Sequence, residues 1–446
     1  MQPSRAFSAP GKALLVGGHL VLDPLYESYV VALSSRMHCV VSKLPSNGID
    51  HFSVTIKSAQ FDSDEWNYKI LRGSSYEVLE VDGKKNPFAK KAVEVLVNYC
   101  QPDPQTTENV VLEVFSDSAY HSTGTSTLKK NEYNQFRFHD STITKVPKTG
   151  LGSSAGLVSV LVTSLLSVYQ GNLDVNSPND QKTIHNLAQV AHCQAQGKVG
   201  SGFDVAAAVF GSIIYQRFDA KLIENLPTEQ PAEYAQAIRI LIDLTDWNFT
   251  HDKVTLPPGI RVIMGDVSSG SETTKLVAKV KAWYQQNLPR SLTVFHCINQ
   301  GNLKFIEGIE KLTTLSRESP AVYQELLEKL DSGHDANASV EITQIRHAIT
   351  QVRENFQLIT RESGADIEPS SQTSLLERCL KLNGVITGVV PGAGGYDAIA
   401  LLVTETADIP SQTSGNADFS TVTWLDLHQE NMGIVEEKPS HYLNLQ

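Results

Sequence analysis

The chain has 446 residues, 41% hydrophobic and 19% charged, with a formal net charge of −12 and a pI near 5.6. This is the balance of a soluble globular enzyme, long enough for two or three domains and a large core. The acidic surplus argues against a nucleic-acid or anionic-membrane surface but leaves small anionic ligands open, because their sites need only local positive charge.

Residues 1–12 contain no apolar leader, and no later run is long enough to span a bilayer. Five cysteines (Cys39, Cys100, Cys193, Cys297 and Cys379) are scattered, odd in number and without CxxC spacing. That pattern predicts free thiols, a reducing compartment and no zinc ligand set. Two glycosylation sequons, at Asn248 and Asn337, carry no weight without a secretory signal. A cytoplasmic protein is expected.

Residues 6–9 read as a short strand broken by Pro10-Gly11. Lys12 follows as a charge in an otherwise uncharged segment, which makes it a candidate site residue as well as a candidate surface lysine at a strand start. Residues 29–41 read as a strand, whose alternation from Arg36 to Val40 puts His38 on the strand surface rather than in a ligand set. Further strands are expected at 52–57, 68–70 and 110–115, with a helix at 89–99 opened by Asn86-Pro87-Phe88. Residues 116–134 are polar and rich in Ser, Thr and Gly, and read as a mobile loop or lid.

The chain is organised around residues 146–169, VPKTGLGSSAGLVSVLVTSLLSVY. The first half is glycine-punctuated, and the second is uncharged and apolar, so a flexible loop feeds a buried helix. Unpaired N–H groups at a helix start, with glycine admitting close approach, make an anion site. Ser153 and Ser154 stand where a hydroxyl caps the helix or reaches a bound ion.

A helix at 181–196 ends at Gly197. Asp204 is then the one acid in GKVGSGFDVAAAVFG, either an N-cap or a carboxylate held in a phosphate site, where it needs a cation partner. A strand is expected at 212–218. Residues 221–258 read as linker plus a strand at 238–242, dividing the chain into 1–225 and 259–446 with a connecting region at 226–258. Beyond it come a strand at 261–265 and a small-polar loop entering a helix at 273–286. There Ser271, Thr274 and Lys275 either meet a second anionic group or simply cap the helix. Amphipathic helices follow at 294–330 and 341–363, a helix at 373–381, and strands at 385–390 and 398–403 around a second glycine-rich loop, PGAGGYD. This loop is followed by a strand, so it is no dinucleotide fingerprint, and no G-x-x-x-x-G-K-[ST] occurs.

Three blocks in order, APGKALLVGGHLVLD (9–23), PKTGLGSSAGL (147–157) and PGAGGYDAI (391–399), resemble the three motifs of the GHMP kinases. HNLAQVAHCQAQGKVGSGFDVAAA (185–208) and ESGADIEPSSQTSLL (362–376) are similar to the fungal phosphomevalonate kinases within that superfamily. The resemblance implies an α+β fold of two domains with the active site in the cleft between them, ATP and Mg²⁺ as cofactors, and phosphorylation of 5-phosphomevalonate. It implies Lys12 and Asp204 as catalytic residues and Lys148, Gly150, Leu151, Gly152, Ser153, Ser154 and Ala155 around the ATP phosphates, with Ser154 on the metal. It assigns Lys12, Ser201, Gly202, Lys275, Gly392, Ala393 and Gly394 to the acceptor, and puts Lys198 among the lysines facing the phosphates.

Two departures stand out. His192 occupies the helix position where mevalonate kinase carries a metal-binding glutamate, and the third block has Val390 and Tyr396-Asp397 in place of the usual lysine and one glycine. Two other readings remain: a kinase for an alcohol such as mevalonate, and a catalytically silent ATP-binding sensor of the same fold. Retention of Lys12, Ser154 and Asp204 together speaks against the sensor.

Overall fold

The structure is a computed structural model that describes residues 5–446 apart from 46–50, 63, 74, 106, 122–123, 229–230, 268–272, 334–338 and 426. Ser271 lies outside the described residues.

The first strand, Arg5–Val16, does not stop at Pro10-Gly11 but runs through them against the long strand Ser28–Leu44. Proline cannot donate to a ladder, and the register shifts between Pro10 and Gly11, so the pair absorbs the proline in a bulge. Past the bulge, Lys12 N donates to Leu151 O at 3.1 Å, which ties this strand to the glycine loop.

Around Ser28–Leu44 grows a ten-stranded sheet, mostly antiparallel, with one parallel pairing between His51–Ser58 and Asn109–Ser116. The helices Pro87–Cys100, Ser153–Tyr169, Pro178–Gln196 and Phe203–Phe210 share its core. Ser153–Tyr169 is buried along most of its circumference, as a helix without a polar face must be.

Residues 260 onward build a second, four-stranded antiparallel sheet: Val385–Val389, Ala398–Thr404, Ile260–Asp266 and Thr423–Leu425, in that spatial order. The helices Thr273–Gln286, Arg290–Glu318, Pro320–Asp331, Val340–Ser363 and Ser370–Cys379 accompany it. The chain then returns to the first sheet. Gln429–Glu430 pairs with Ser28–Leu44, Val435–Glu437 pairs with Arg5–Val16, and Tyr442 packs on Phe115 and Phe136.

Three more sequence expectations change. Residues 238–242 are not a strand but the end of the helix Pro231–Arg239 and the π-helical turn Ile240–Leu244. Ile238, Leu241 and Ile242 are buried while the residues between them are exposed, a helical period that a short apolar run conceals. Residues 116–134 hold the turn Ser118–Tyr120 and the strand Ser126–Lys130, which pairs with Gln135–His139 and exchanges backbone hydrogen bonds with Gln446, so they are no open lid. His38 is buried rather than on a strand surface, between Asp117 Oδ1 at 3.2 Å and Tyr442 Oη at 3.0 Å, because the returning chain covers that face.

Candidate active site

Gly152 is the N-cap of Ser153–Tyr169 and adopts φ +84°, a left-handed conformation that costs a side-chain-bearing residue strain. A Cβ here would lie 3.2 Å from Lys12 Cε and 3.8 Å from Asp204 Cβ. Lys12, Gly152 and Asp204 therefore meet at one point, although 192 residues of sequence separate the lysine from the aspartate. Ser153 and Ser154 make no side-chain cap, so the first N–H groups of the helix face outward unclaimed by a capping side chain.

Lys12 Nζ donates to Gly150 O at 3.0 Å and lies 5.6 Å from the centre of the Phe203 ring. Burial lowers its pKa below the usual lysine value, and the nearby Asp204 carboxylate partly offsets this. It is thus no ordinary surface lysine. Asp204 sits in the first turn of Phe203–Phe210, whose N-cap is Gly202, and its Oδ1 accepts Val205 N at 3.0 Å. The aspartate is not the cap, and among the described residues no hydrogen bond engages its second oxygen.

The loop on which Asp204 rests is held from below. Gln189 Nε2 donates to Gly202 O at 2.7 Å, and Tyr215 Oη donates to Ser201 O at 3.0 Å. Gln189 in turn bonds His185 Nε2 at 3.0 Å, and His185 Nδ1 reaches Asn186 Oδ1 at 2.9 Å. Lys198, from the same loop, crosses to the other half of the molecule and donates to Thr274 Oγ1 at 3.0 Å. Lys275 lies beside it, in the first turn of Thr273–Gln286.

His192 Nε2 lies 3.0 Å from Ser154 Oγ and 3.3 Å from Gln196 Nε2. An amide N–H directed at this nitrogen makes it an acceptor, so the Ser154 hydroxyl donates to it and turns its lone pairs away. Burial lowers the His192 pKa, with Asp204 opposing, and the ring stays neutral. No group of three or more His, Cys, Asp or Glu side chains able to hold a metal occurs among the described residues. One hydroxyl and a nearby carboxylate nevertheless suit Mg²⁺, which keeps several waters and takes most of its remaining oxygens from substrate phosphates.

Lys148, Ser153 and Ser154 line a cavity of about 170 Å³, whose other walls include Ile56, Phe61, Trp66, Phe88 and Leu157. Burial lowers the Lys148 pKa. Nothing in the sequence pointed to these walls, which come from separate strands, loops and helices and form no motif.

The third glycine loop stands apart from this centre. Ala393 O accepts a bond from His19 Nε2 at 2.9 Å, and Gly395 N donates to Ile367 O at 3.0 Å. Burial drives the His19 pKa down to about 4, leaving a neutral ring that joins the first motif to the third. Among the described residues no hydrogen bond links Gly392, Ala393 or Gly394 to Lys12, Ser154 or Asp204.

Residues 120–212 match the family described as GHMP kinases N terminal domain, which spans the glycine loop through Asp204. The fold is that of solved kinases of this superfamily. It matches the Streptococcus pneumoniae phosphomevalonate kinase in complex with phosphomevalonate and AMPPNP with a TM-score of 0.61 at 16% identity, covering 95% of this chain and 99% of that one. Sequence similarity reaches further. The phosphomevalonate kinase of Gibberella zeae is 34% identical over 90% of this chain and 88% of its own. That of Candida albicans is 42% identical over 99% of this chain and 100% of its own. At that identity, end to end, the chain belongs to the phosphomevalonate kinase family.

Proposed function

We propose that the protein transfers the γ-phosphoryl group of ATP to the phosphate of (R)-5-phosphomevalonate, releasing ADP and (R)-5-diphosphomevalonate, a step of the mevalonate route to isoprenoids and sterols. The observation that carries this reading is the meeting of Lys12, the Gly152 helix start and Asp204 beside an apolar cavity in a chain of this family.

The base occupies the cavity, and the nucleotide's phosphates reach past Lys148 to the N–H groups of Ser153, Ser154 and Ala155. An acceptor phosphate oxygen attacks the γ-phosphorus in line, and the bond to the β-phosphate bridging oxygen breaks with its electrons leaving on ADP. A phosphomonoester has a second pKa of about 6, so near neutral pH the attacking oxygen is already ionised and no base must take its proton. Lys12 neutralises charge that builds on the transferring group, and Asp204 orients Lys12. Lys198, Lys275, Ser201 and Gly202 face the acceptor across the cleft, with the loop of Gly392, Ala393 and Gly394 closing its far side. Mg²⁺, held by Ser154 and the phosphates, supplies further charge neutralisation when bound.

The division into 1–225 and 259–446 belongs to the same proposal, the cleft lying between the two sheets. So does a cytoplasmic location, supported by five free cysteines and by the lack, among the described residues, of any helix long and apolar enough to cross a membrane.

ADP release from Mg-ATP, with 5-phosphomevalonate, mevalonate, galactose and homoserine offered separately, tests the reading. Turnover with 5-phosphomevalonate alone is expected. Turnover with an unphosphorylated alcohol overturns the acceptor and makes Asp204 a true base, while ATP binding without any turnover points to a sensor.

A further inference from the structure

The helix that carries Asp204 is gripped at its other end by the returning chain. Phe203–Phe210 is a rod about 12 Å long, and every residue of it except Asp204 is buried. It starts at Gly202 and stops at Gly211, with φ at +79° and +91°.

At the far end two backbones meet with no side chain on either. A Cβ at Gly433 would clash with Val209 O and lie 2.6 Å from Phe210 N, and one at Gly211 would clash with Asn431 O and lie 3.1 Å from Gly433 N. Ile434 N closes the contact by donating to Val209 O at 3.1 Å. Arg36 fastens the same segment from its other side. Its Nη2 donates to Gly433 O at 2.5 Å and to Ser8 O at 3.0 Å, and its Nη1 pairs with Glu430 at 3.4 Å. Ser8 belongs to the strand of Lys12. One residue past Gly211, Ser212 Oγ donates to Glu430 O at 2.8 Å and accepts Ala32 N at 2.9 Å, and Ala32 faces Lys12 across the ladder.

The strand of Lys12 and the helix of Asp204 are thus fastened to one short segment. We infer, resting on the proposed role of Asp204, that residues 430–434 set the position of that carboxylate against Lys12, with Gly433 as a positioning residue. A methyl group added at Gly433 meets backbone atoms, so no change of rotamer relieves it and one of the two backbones must shift. Whichever yields, the spacing between strand and helix changes, and a misplacement of about 1 Å costs up to about 10²-fold in rate.

The test is a double-mutant cycle on kcat in the full-length enzyme, with Mg-ATP and 5-phosphomevalonate both saturating. Gly433→Ala is expected to lower kcat by at least about tenfold while the KM for ATP stays within about twofold, because the glycine loop and the cavity belong to other elements. Beside Asp204→Asn the same change should cost less than about twofold, since a carboxylate that is absent cannot be misplaced. Met432→Ala, which trims an exposed side chain of the same segment, should leave kcat unchanged. Equal losses from Gly433→Ala with and without Asp204, an equal loss from Met432→Ala, or an unchanged kcat in folded Gly433→Ala overturns the inference. If circular dichroism shows Gly433→Ala unfolded, Ser212→Ala replaces it in the cycle, removing the hydroxyl that joins Glu430 to Ala32 without adding bulk. A loss of at least about threefold that vanishes beside Asp204→Asn is then expected, and an equal loss in both backgrounds, or none, overturns the inference. If Asp204→Asn alone leaves kcat unchanged, the catalytic role of Asp204 falls and the positioning role falls with it.

Discussion

Acidification is expected to destabilise the protein through three buried histidines, of which His185 supports the loop that carries Asp204. This ring is fully buried, stacks on Phe249 at 4.4 Å, and accepts at Nε2 from the same Gln189 amide that holds the Gly202 carbonyl. Burial drives its pKa down to about 3, and those of His121 and His19 to about 3 and about 4. All three lie below the unfolded value of about 6.5, so the unfolded chain takes up protons first, and their contribution is complete above pH ~6.5 and lost progressively as pH falls toward their folded values. At pH ~5.5, keeping one such ring neutral costs about 1.4 kcal/mol, and three cost about 4 kcal/mol. That is a large part of a typical stability of about 5–15 kcal/mol. Trp247, edge-on to His185 at 6.1 Å, provides a local fluorescence signal for urea unfolding. The free energy of unfolding should fall by at least about 4 kcal/mol between pH ~7.5 and ~5.5, and His185→Gln should remove about 1.4 kcal/mol of that dependence. Stability that is flat or rising toward acid, or a His185→Gln slope equal to wild type, would refute the argument.

Asp204→Asn should lower kcat by about 10²-fold while leaving the pH dependence between about 7 and 9 unchanged, because an ionised acceptor needs no base. Loss of a wild-type acid-limb pKa in the variant would restore Asp204 as a proton acceptor. Gly202→Ala should cost at least about tenfold in kcat/KM, since φ is +79° and the added carbon would sit 2.9 Å from both Gln189 and Tyr215 Oη. Gly150→Ala, where φ is +75° but the space is open, should be far milder in the same assay. Arg353→Leu should destabilise by about 3–5 kcal/mol in urea unfolding, because it strands Glu368, 3% exposed and bonded to Arg353 at 2.7 Å. Adding Glu368→Leu should recover much of that loss, and an unrelieved double variant would count against the ion-pair explanation.

The glycine loop, Lys12 and Asp204 were legible in the sequence because each is a local anomaly: a charge in an apolar run, or a glycine before a buried helix. Their convergence was not, since it depends on a bulge at Pro10 and on the left-handed turn at Gly152. The cavity was invisible for a different reason. Ile56, Phe61, Trp66, Phe88 and Leu157 each look like ordinary core residues where they stand, and only the sheet brings them together. The His19–Ala393 bond spans 374 residues of sequence, and no periodicity announces such a contact. The strands at the end of the chain are two or three residues long, too short for an alternation to show.

Those short strands bear on how the protein is made. Val435–Glu437 borders the very strand that carries Lys12, and the Arg5 guanidinium is paired with Glu436 at 2.7 Å. During synthesis the catalytic half emerges with that sheet border bare, and it stays bare while the second sheet is translated. At about 5–20 residues per second, some 200 residues take roughly 10–40 s. An open border of this kind invites pairing with other chains. The nascent protein therefore passes through a window in which it needs protection, and the window closes only when residues 435–437 have been made. A chain stopped before residue 435 would lack this strand and would leave every molecule permanently in that vulnerable state.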